Sequence, residues 1–279
     1  MGAGVVIGTN VASIHASRVL SNNRSNLETA MARLASGKRL NSASDDAAAA
    51  SVAAKMKVDI RSTDVAVRNI NDGISLFQTV DGASSEVENI LIRMRELAVQ
   101  MTNGTYEDAD RVNANKEFVA LTAEIERIAT KSAFNRVTFA DATPTGIKIQ
   151  TGAAEDDNLA ASALTLPDLR TNTSLAVSAA GISTAAAAAA AVTAVDAAIV
   201  KVAGFRADTG ATINRLGFAL SNAQNVSQRL QEALSGLEDA DYAAESAALA
   251  RGMVLAQAGS AMLAQANQAP QYVLMLLKT

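Results

Sequence analysis

From Met56 onward the apolar positions step by four and three in alternation: Met56, Ile60, Thr63, Val67, Ile70, Ile74 and Phe77. After one three-residue step the rhythm resumes through Val80, Ser84, Val87, Leu91, Met94, Ala98 and Met101. Such spacing keeps a narrow stripe on one side of a helix. It predicts a coiled-coil seam with a single phase slip, roughly 70 Å long if helical throughout. "TNGT" at 102–105 then breaks the helix, and Thr105 with Asp108 resembles a capping box for the next one. There Ala114, Phe118, Leu121, Ile125 and Ile128 make a stripe that can pack back on the first helix.

The same periodicity runs outward to both ends. Residues 5–35 read as a helix in which Leu20, Leu27 and Leu34 recur every seven residues, with Met31 beside them. Gly37 is the expected stop, Ser44 the expected N-cap, and Asp45 and Asp46 fill the following first turn. After Ser183 an alanine run leads into Val192, Val195, Ile199 and Val202. The spacing continues through Thr209, Ile213, Leu216, Leu220, Ala223, Leu230, Leu234 and Leu237, with Arg206 and Ser227 as polar exceptions. "EDADYAAE" at 238–245 reads as a joint and a new acidic helix start, leading to Leu249, Met253, Ala256 and Leu263. Between the helical halves, Val137–Phe139 and Ile147–Gln150 alternate like strands around a Pro-Thr-Gly turn, which predicts a small β-hairpin.

The expected fold is mainly α: an elongated coiled-coil or helical bundle of paired N- and C-terminal arms, with a small β-hairpin insert. The pattern divides the chain into 1–42 and 237–279 (a terminal coiled coil) and 43–182 and 183–236 (a middle helical domain). A chain that goes out and returns brings its ends together. Both ends are apolar: Val5, Val6 and Ile7 near the start, and an unbroken run from Tyr272 to Leu277. Burying one such side chain contributes about 1.5–3 kcal/mol, and two helices cannot cover all of this surface for each other. Other copies of the chain are the simplest cover. The candidate interface residues are Ile14, Leu20, Leu27, Met31 and Leu34 at one end. At the other they are Leu249, Met253, Leu263, Val273, Leu274, Leu276 and Leu277.

Composition sharpens this picture. Apolar residues make up 49% of the chain but aromatics only 3%, so slender alanine-rich helix packing replaces an aromatic core. A net charge of -4 without a basic patch argues against nucleic acid. No unbroken apolar run approaches ~20 residues, so no membrane span is expected, and the start lacks the pattern of a cleavable secretory signal. The absence of cysteine excludes disulfides and thiolate chemistry. His15 is the only histidine and reads as a helix-surface residue; Asp45-Asp46 and Glu155-Asp156-Asp157 lack a catalytic or calcium-loop context. Asn103-Gly104-Thr105 matches a glycosylation sequon and fits a turn equally well. No enzyme and no cofactor are expected.

Five segments carry a family resemblance: "RLASGKRLNSASDDAAAASVAAKM" (33–56), "RNINDGISLFQTVDGASSEVENILIRMRELAVQMTNGT" (68–105), "FNRVTF" (134–139), "IKIQTGA" (147–153) and "LEDADYAAESAALARGMVLAQAGSAMLAQANQAPQYVLMLL" (237–277). Together they resemble the bacterial flagellins, subunits of the flagellar filament. The resemblance implies that the terminal segments pair as a coiled coil lining the filament core, with the longer helices and hairpin forming the next shell. Residues 154–184 are all that separates "IKIQTGA" from the alanine run, so a minimal form without large outer domains is expected. The resemblance further implies export of the unfolded chain through the flagellar secretion channel and assembly outside the cell with identical subunits. It implies an export chaperone, a cap and junction proteins as partners. A hook–filament junction adaptor, built on the same terminal scaffold, is the alternative. The region 137–150 resembles the element linked to switching between filament states. "RMRELAVQ" resembles the motif recognised by an animal flagellin-sensing Toll-like receptor, with Arg93 and Leu97 at its central positions and Glu124 at a third.

Overall fold

The computed structural model describes residues 9–140, 148–152, 158–159 and 166–276; for Val137, Asn158, Leu159 and residues 269–276 it describes the backbone alone. Five helices dominate: α1 (Val11–Ser36), α2 (Ala47–Thr102), α3 (Asp108–Lys131), α4 (Ala185–Glu238) and α5 (Tyr242–Leu276). The chain divides into two compact units, residues 1–58 with 230–279, and residues 59–229. These divisions fall inside α2 and α4. The pattern instead placed its breaks at 42/43, between α1 and α2, and at 236/237, two residues before the end of α4.

Within residues 59–229 every predicted seam position of α2 is buried or half-buried. Val80, Ser84, Val87, Leu91, Met94 and Ala98 are fully enclosed. The apolar ones among them pack in one cluster with Phe118, Ile125 and Ala129 of α3 and Ala188, Ala191, Val195, Ala198 and Val202 of α4. A second cluster joins Ile70 and Phe77 of α2 to Leu216 and Ala223 of α4 and to Ile149. The polar exceptions on α4 meet acids on α2. Arg206 reaches Asp81 at 3.0 Å and Glu88 at 2.5 Å, and the Ser227 hydroxyl donates to Asp64 at 2.9 Å. Loop residues Leu169, Leu175 and Val177 close over the same core, pinned where the Thr171 N–H and hydroxyl both donate to Glu126.

Several local expectations are corrected. The N-cap of α2 is Asp46, not Ser44: its carboxylate accepts from the Ala49 N–H at 2.9 Å. Asp45 turns back to accept from the N–H groups of Asn41 and Ser42, which holds its carboxyl below the usual range. No capping box forms at Thr105. Glu107 precedes α3 without a side-chain cap, and Asp108 pairs with Arg111 instead.

The single hairpin is also corrected. β1 (Ala133–Phe134) pairs with β2 (Val137–Thr138), and β3 (Ile149–Gln150) pairs with β4 (Asn158–Leu159), both antiparallel. The first turn is Asn135-Arg136 with both residues at positive φ, the geometry of a tight hairpin turn that Asn and Gly favour. With no glycine at either position, the usual hairpin cue is missing there. The Pro-Thr-Gly turn lies outside the described residues.

The membrane reading needs correction on its own terms. Ala185–Glu238 and Tyr242–Gln268 each hold a stretch long and apolar enough, by composition, to cross a bilayer. Counting unbroken runs missed them because alanine keeps a helix apolar between isolated charges. The start of α4 spends that character on the enclosed core, where Ala188, Ala191 and Val195 are buried.

Candidate assembly surface on the terminal arms

In the unit formed by residues 1–58 and 230–279, α1 and α5 lie antiparallel, and their facing residues follow a 3.5-residue repeat. On α1 the covered positions are Ser13, Ala16, Leu20, Asn23, Leu27, Ala30 and Leu34; on α5 they are Glu245, Leu249, Gly252, Ala256, Gly259, Leu263 and Ala266. Large residues meet small ones. A Cβ placed on Gly252 would lie 3.5 Å from Leu27 Cδ1, and one on Gly259 would lie 3.4 Å from Leu20 Cδ1. The glycines thus serve as seats for leucines from the opposite helix.

Polar contacts fix the register of this pair. Asn10 Nδ2 donates to the Ala266 carbonyl at 2.7 Å, and Asn23 Nδ2 donates to the Gly252 carbonyl at 2.8 Å. The Ser13 hydroxyl donates to Asn267 Oδ1 at 2.7 Å, and Arg33 pairs with Glu245 at 3.0 Å. Sliding either helix by one residue would strand all four.

The joint beyond the seam is equally specified. Gly37 ends α1 in the left-handed region, φ 70°. Asp241 caps α5, accepting from the N–H groups of Ala243 and Ala244. Glu238, 6% exposed, receives Lys38 at 2.7 Å and Lys57 at 2.6 Å. Those two ammonium groups hold its carboxyl below the usual range. The Arg39 guanidinium donates to the Leu237 carbonyl at 2.8 Å.

The candidate interface residues now separate into two groups. Leu20, Leu27, Leu34, Leu249 and Leu263 are half-buried in the seam within one chain. Ile14, Met31 and Met253 stand outside it, with 53%, 49% and 52% of their surface exposed. Val273, Leu274 and Leu276 lie on α5 by backbone alone, and Leu277 lies outside the described residues, as do Val5 to Ile7. The outer face extends beyond these candidates: Val11, Val19 and Tyr242 are also exposed, as are Val254, Leu255 and Met262, which the periodicity did not single out. Between α1 and α5 part of this face sinks into an apolar groove of about 740 Å³, where Val19 and Leu255 stand beside Met262 and His15. A seven-residue count alone selects the seam; the adjoining positions needed a second stripe to be traced.

The receptor-motif residues lie elsewhere, in residues 59–229. Arg93 is half exposed and bridges Glu117 at 2.9 Å and Glu96 at 3.2 Å. Glu124 is half-buried and pairs with Arg127 at 2.6 Å. Leu97 is corrected: it is 4% exposed and belongs to the core with Met94 and Met101, so its side chain offers no contact surface. The nearby exposed apolar positions are Ile92 and Val99 on α2 and Val112 and Val119 on α3, each pair seven residues apart. Among the described residues no three His, Asp or Glu side chains gather as a metal-holding group.

A helical chain whose two ends pair through a thin seam, and carry apolar residues on the outside of that pair, is the class of protein described so far. Two family models match it, the bacterial flagellin N-terminal helical region over residues 7–143 and the bacterial flagellin C-terminal helical region over residues 192–277. A flagellin from Halalkalibacterium halodurans is 41% identical over 275 residues, covering 98% of this chain and 100% of that protein. The flagellar filament 30.7 kDa core protein of Treponema maltophilum is 34% identical over 287 residues, covering 98% and 100%. The solved structure of a putative flagellar hook-associated protein from Vibrio parahaemolyticus superposes with a TM-score of 0.58, covering 70% of this chain and 100% of that one. At 14% identity that likeness is one of fold alone. The chain belongs to the bacterial flagellin family.

Proposed function

We propose that the chain is the structural subunit of a bacterial flagellar filament, polymerising outside the cell through the outer face of the α1–α5 pair. The observation that carries this is the placement of apolar bulk. Ile14, Met31, Met253, Leu255 and Met262 all face away from the intramolecular seam. Identical subunits repeating without closure would cover that face along an open helix. The domain scheme follows: residues 1–42 and 237–279 form the filament core, and 43–236 the shell around it. The junction-adaptor alternative is not favoured, since the relatives that match over the full chain are a flagellin and a filament core protein.

Export of the unfolded chain, with a chaperone, a cap and junction proteins as partners, belongs to the same proposal. It is supported by the thinness of the arm seam, which a secretion channel would have little difficulty keeping open. A Toll-like receptor contact through Arg93 and Glu124 is a further part of it, supported by the exposure of Arg93 on α2 and the partial exposure of Glu124 on α3. The deciding experiment is seeded polymerisation. Purified chain should extend filament seeds, and a chain lacking residues 238–279 should not. Filaments growing from the truncated chain would refute the mechanism. Labelled subunits found only at a filament's base would point to the adaptor instead.

A further inference from the structure

The turn between α2 and α3 carries chemistry that filament assembly does not use. Asn103-Gly104 is the only Asn-Gly pair in the sequence, and both residues are exposed just beyond the end of α2 at Thr102. We propose that Asn103 is a self-modifying site: its carboxamide is lost to attack by its own following peptide nitrogen, leaving aspartate or isoaspartate in the turn.

Three features of the turn favour the reaction. First, the nucleophile is free. Among the described residues no acceptor takes the Gly104 N–H, and Gly104 has no Cβ to hinder ring closure and open space where one would sit.

Second, the peptide that must lose its proton is polarised. Arg111, only 6% exposed, donates from Nη2 to the Asn103 carbonyl at 2.9 Å. The Tyr106 N–H points at the same oxygen at 3.4 Å. A guanidinium on that carbonyl stabilises the negative charge the peptide acquires when Gly104 N–H is removed. Arg111 cannot drift away, because Nε donates to the Met101 carbonyl at 3.0 Å and Nη1 pairs with Asp108 at 2.9 Å.

Third, the electrophile is held. The Thr105 N–H donates to Asn103 Oδ1 at 3.3 Å. That bond folds the carboxamide back along its own chain and aims a donor at the oxygen that becomes the oxyanion.

The step balances without any oxidant. A base in solution takes the Gly104 proton, and the nitrogen bonds to Asn103 Cγ. The Cγ–Nδ2 bond breaks and the amide leaves as ammonia, carrying the returned proton. Water then opens the five-membered imide. Opening at Cγ gives aspartate; opening at the main-chain carbonyl gives isoaspartate, with an extra methylene in the backbone. Either product sets a carboxylate at the negative end of the α2 dipole, within the reach of Arg111. The turn thereby records the age of a subunit.

The test incubates the full-length chain, folded and in denaturing urea, in mildly alkaline buffer at body temperature. Peptide mass spectrometry follows every asparagine, and isoaspartyl methyltransferase labelling identifies the product. The expected result is that Asn103 converts first, that it reacts at least as fast folded as unfolded, and that isoaspartate appears. Gly104→Ala, which fits the open space, should slow conversion about tenfold. Arg111→Met should slow the folded chain and leave the unfolded chain unchanged. An Asn103 that outlasts the other asparagines, or that reacts more slowly folded than unfolded, overturns the proposal. So does a Gly104→Ala chain that converts at the original rate.

Discussion

Replacing Leu255 and Met262 together by glutamine tests the assembly surface directly. Neither residue lies on the α1–α5 seam, and they are 52% and 65% exposed in the single chain. Glutamine is a comparable helix former, so α5 should persist. Full burial of a Leu or Met side chain contributes about 1.5–3 kcal/mol, and roughly half of that remains to be gained here, about 1–1.5 kcal/mol each. Losing both therefore costs assembly about 2–3 kcal/mol. At about 1.4 kcal/mol per factor of ten, the critical concentration should rise about 30- to 150-fold. The assay is sedimentation of filaments grown from fixed seeds over a range of subunit concentrations. Circular dichroism of the unassembled chain should show unaltered helix, and thermal melting of residues 59–229 should be unchanged. A doubly substituted chain with the parent's critical concentration would refute the assignment of this face to assembly.

Three further predictions follow from particular atoms. Gly252→Ala should stabilise the terminal pair by about 1 kcal/mol, since alanine exceeds glycine in helix propensity by that amount and the new methyl meets Leu27 at ordinary contact distances of 3.5–3.7 Å; weaker amide-exchange protection in α1 would contradict it. Ser84→Ala should stabilise residues 59–229 by about 1 kcal/mol, because the Ser84 hydroxyl is fully buried and has no hydrogen-bond partner among the described residues; a urea midpoint shifted downward would contradict that. Acid should loosen the arm joint through Glu238, whose carboxyl the two lysines hold below its ordinary value of 4.5. A depressed carboxyl contributes stability that is present above the unfolded value and disappears as pH falls through the folded one. Protease sensitivity near residue 238 should therefore rise below about pH 4, and Glu238→Gln should already be sensitive at neutral pH; identical acid profiles for the two chains would refute the latch.

The helices were legible because their signal is redundant. Each stripe on α2 repeats over many turns, so one polar seam residue such as Thr63 or Ser84 does not hide the period. Caps were less legible, since several neighbouring residues compete for one role. Ser44, Asp45 and Asp46 are all good N-caps by type, and only the fold reveals which oxygen reaches an amide three residues on. Val137–Thr138 and Ile149–Gln150 fall inside runs read as strands but were paired with each other, and their actual partners Ala133–Phe134 and Asn158–Leu159 were not read as strands, because two-residue ladders carry no periodicity and depend on the loop between them. For the candidate site, the sequence showed which helices are apolar but not which side closes within the chain. Leu27 and Met31 lie four residues apart, yet the first seats against Gly252 and the second stands 49% exposed. Leu97 shows the same limit in reverse: its motif suggested a contact surface, and its position on the inner side of α2 buries it.

The contrast between the two units explains why the arms call for neighbours. Residues 59–229 enclose a core of large side chains: Phe77, Phe118 and Phe139 are each 1% exposed or less and Leu91, Ile125 and Leu169 are fully enclosed, while Phe218 and Val200 stand outside it. Among the described residues the terminal pair encloses only Ala30 and Gly252 and no large apolar side chain. Its seam alternates leucine with glycine and alanine and includes Ser13 and Asn23, whereas Val11, Ile14, Val19, Met253, Leu255 and Met262 face outward. A two-helix pair selected to stand alone would put those larger residues inside, since buried apolar area is its main source of stability. Small residues in the seam bring the helices close, and the polar pins from Asn10 and Asn23 make one register preferable to its neighbours. Register decides which residues remain outside. The seam's function is thus to present a defined apolar face rather than to maximise its own burial. The energy withheld from the single chain is then available to drive association with the next one.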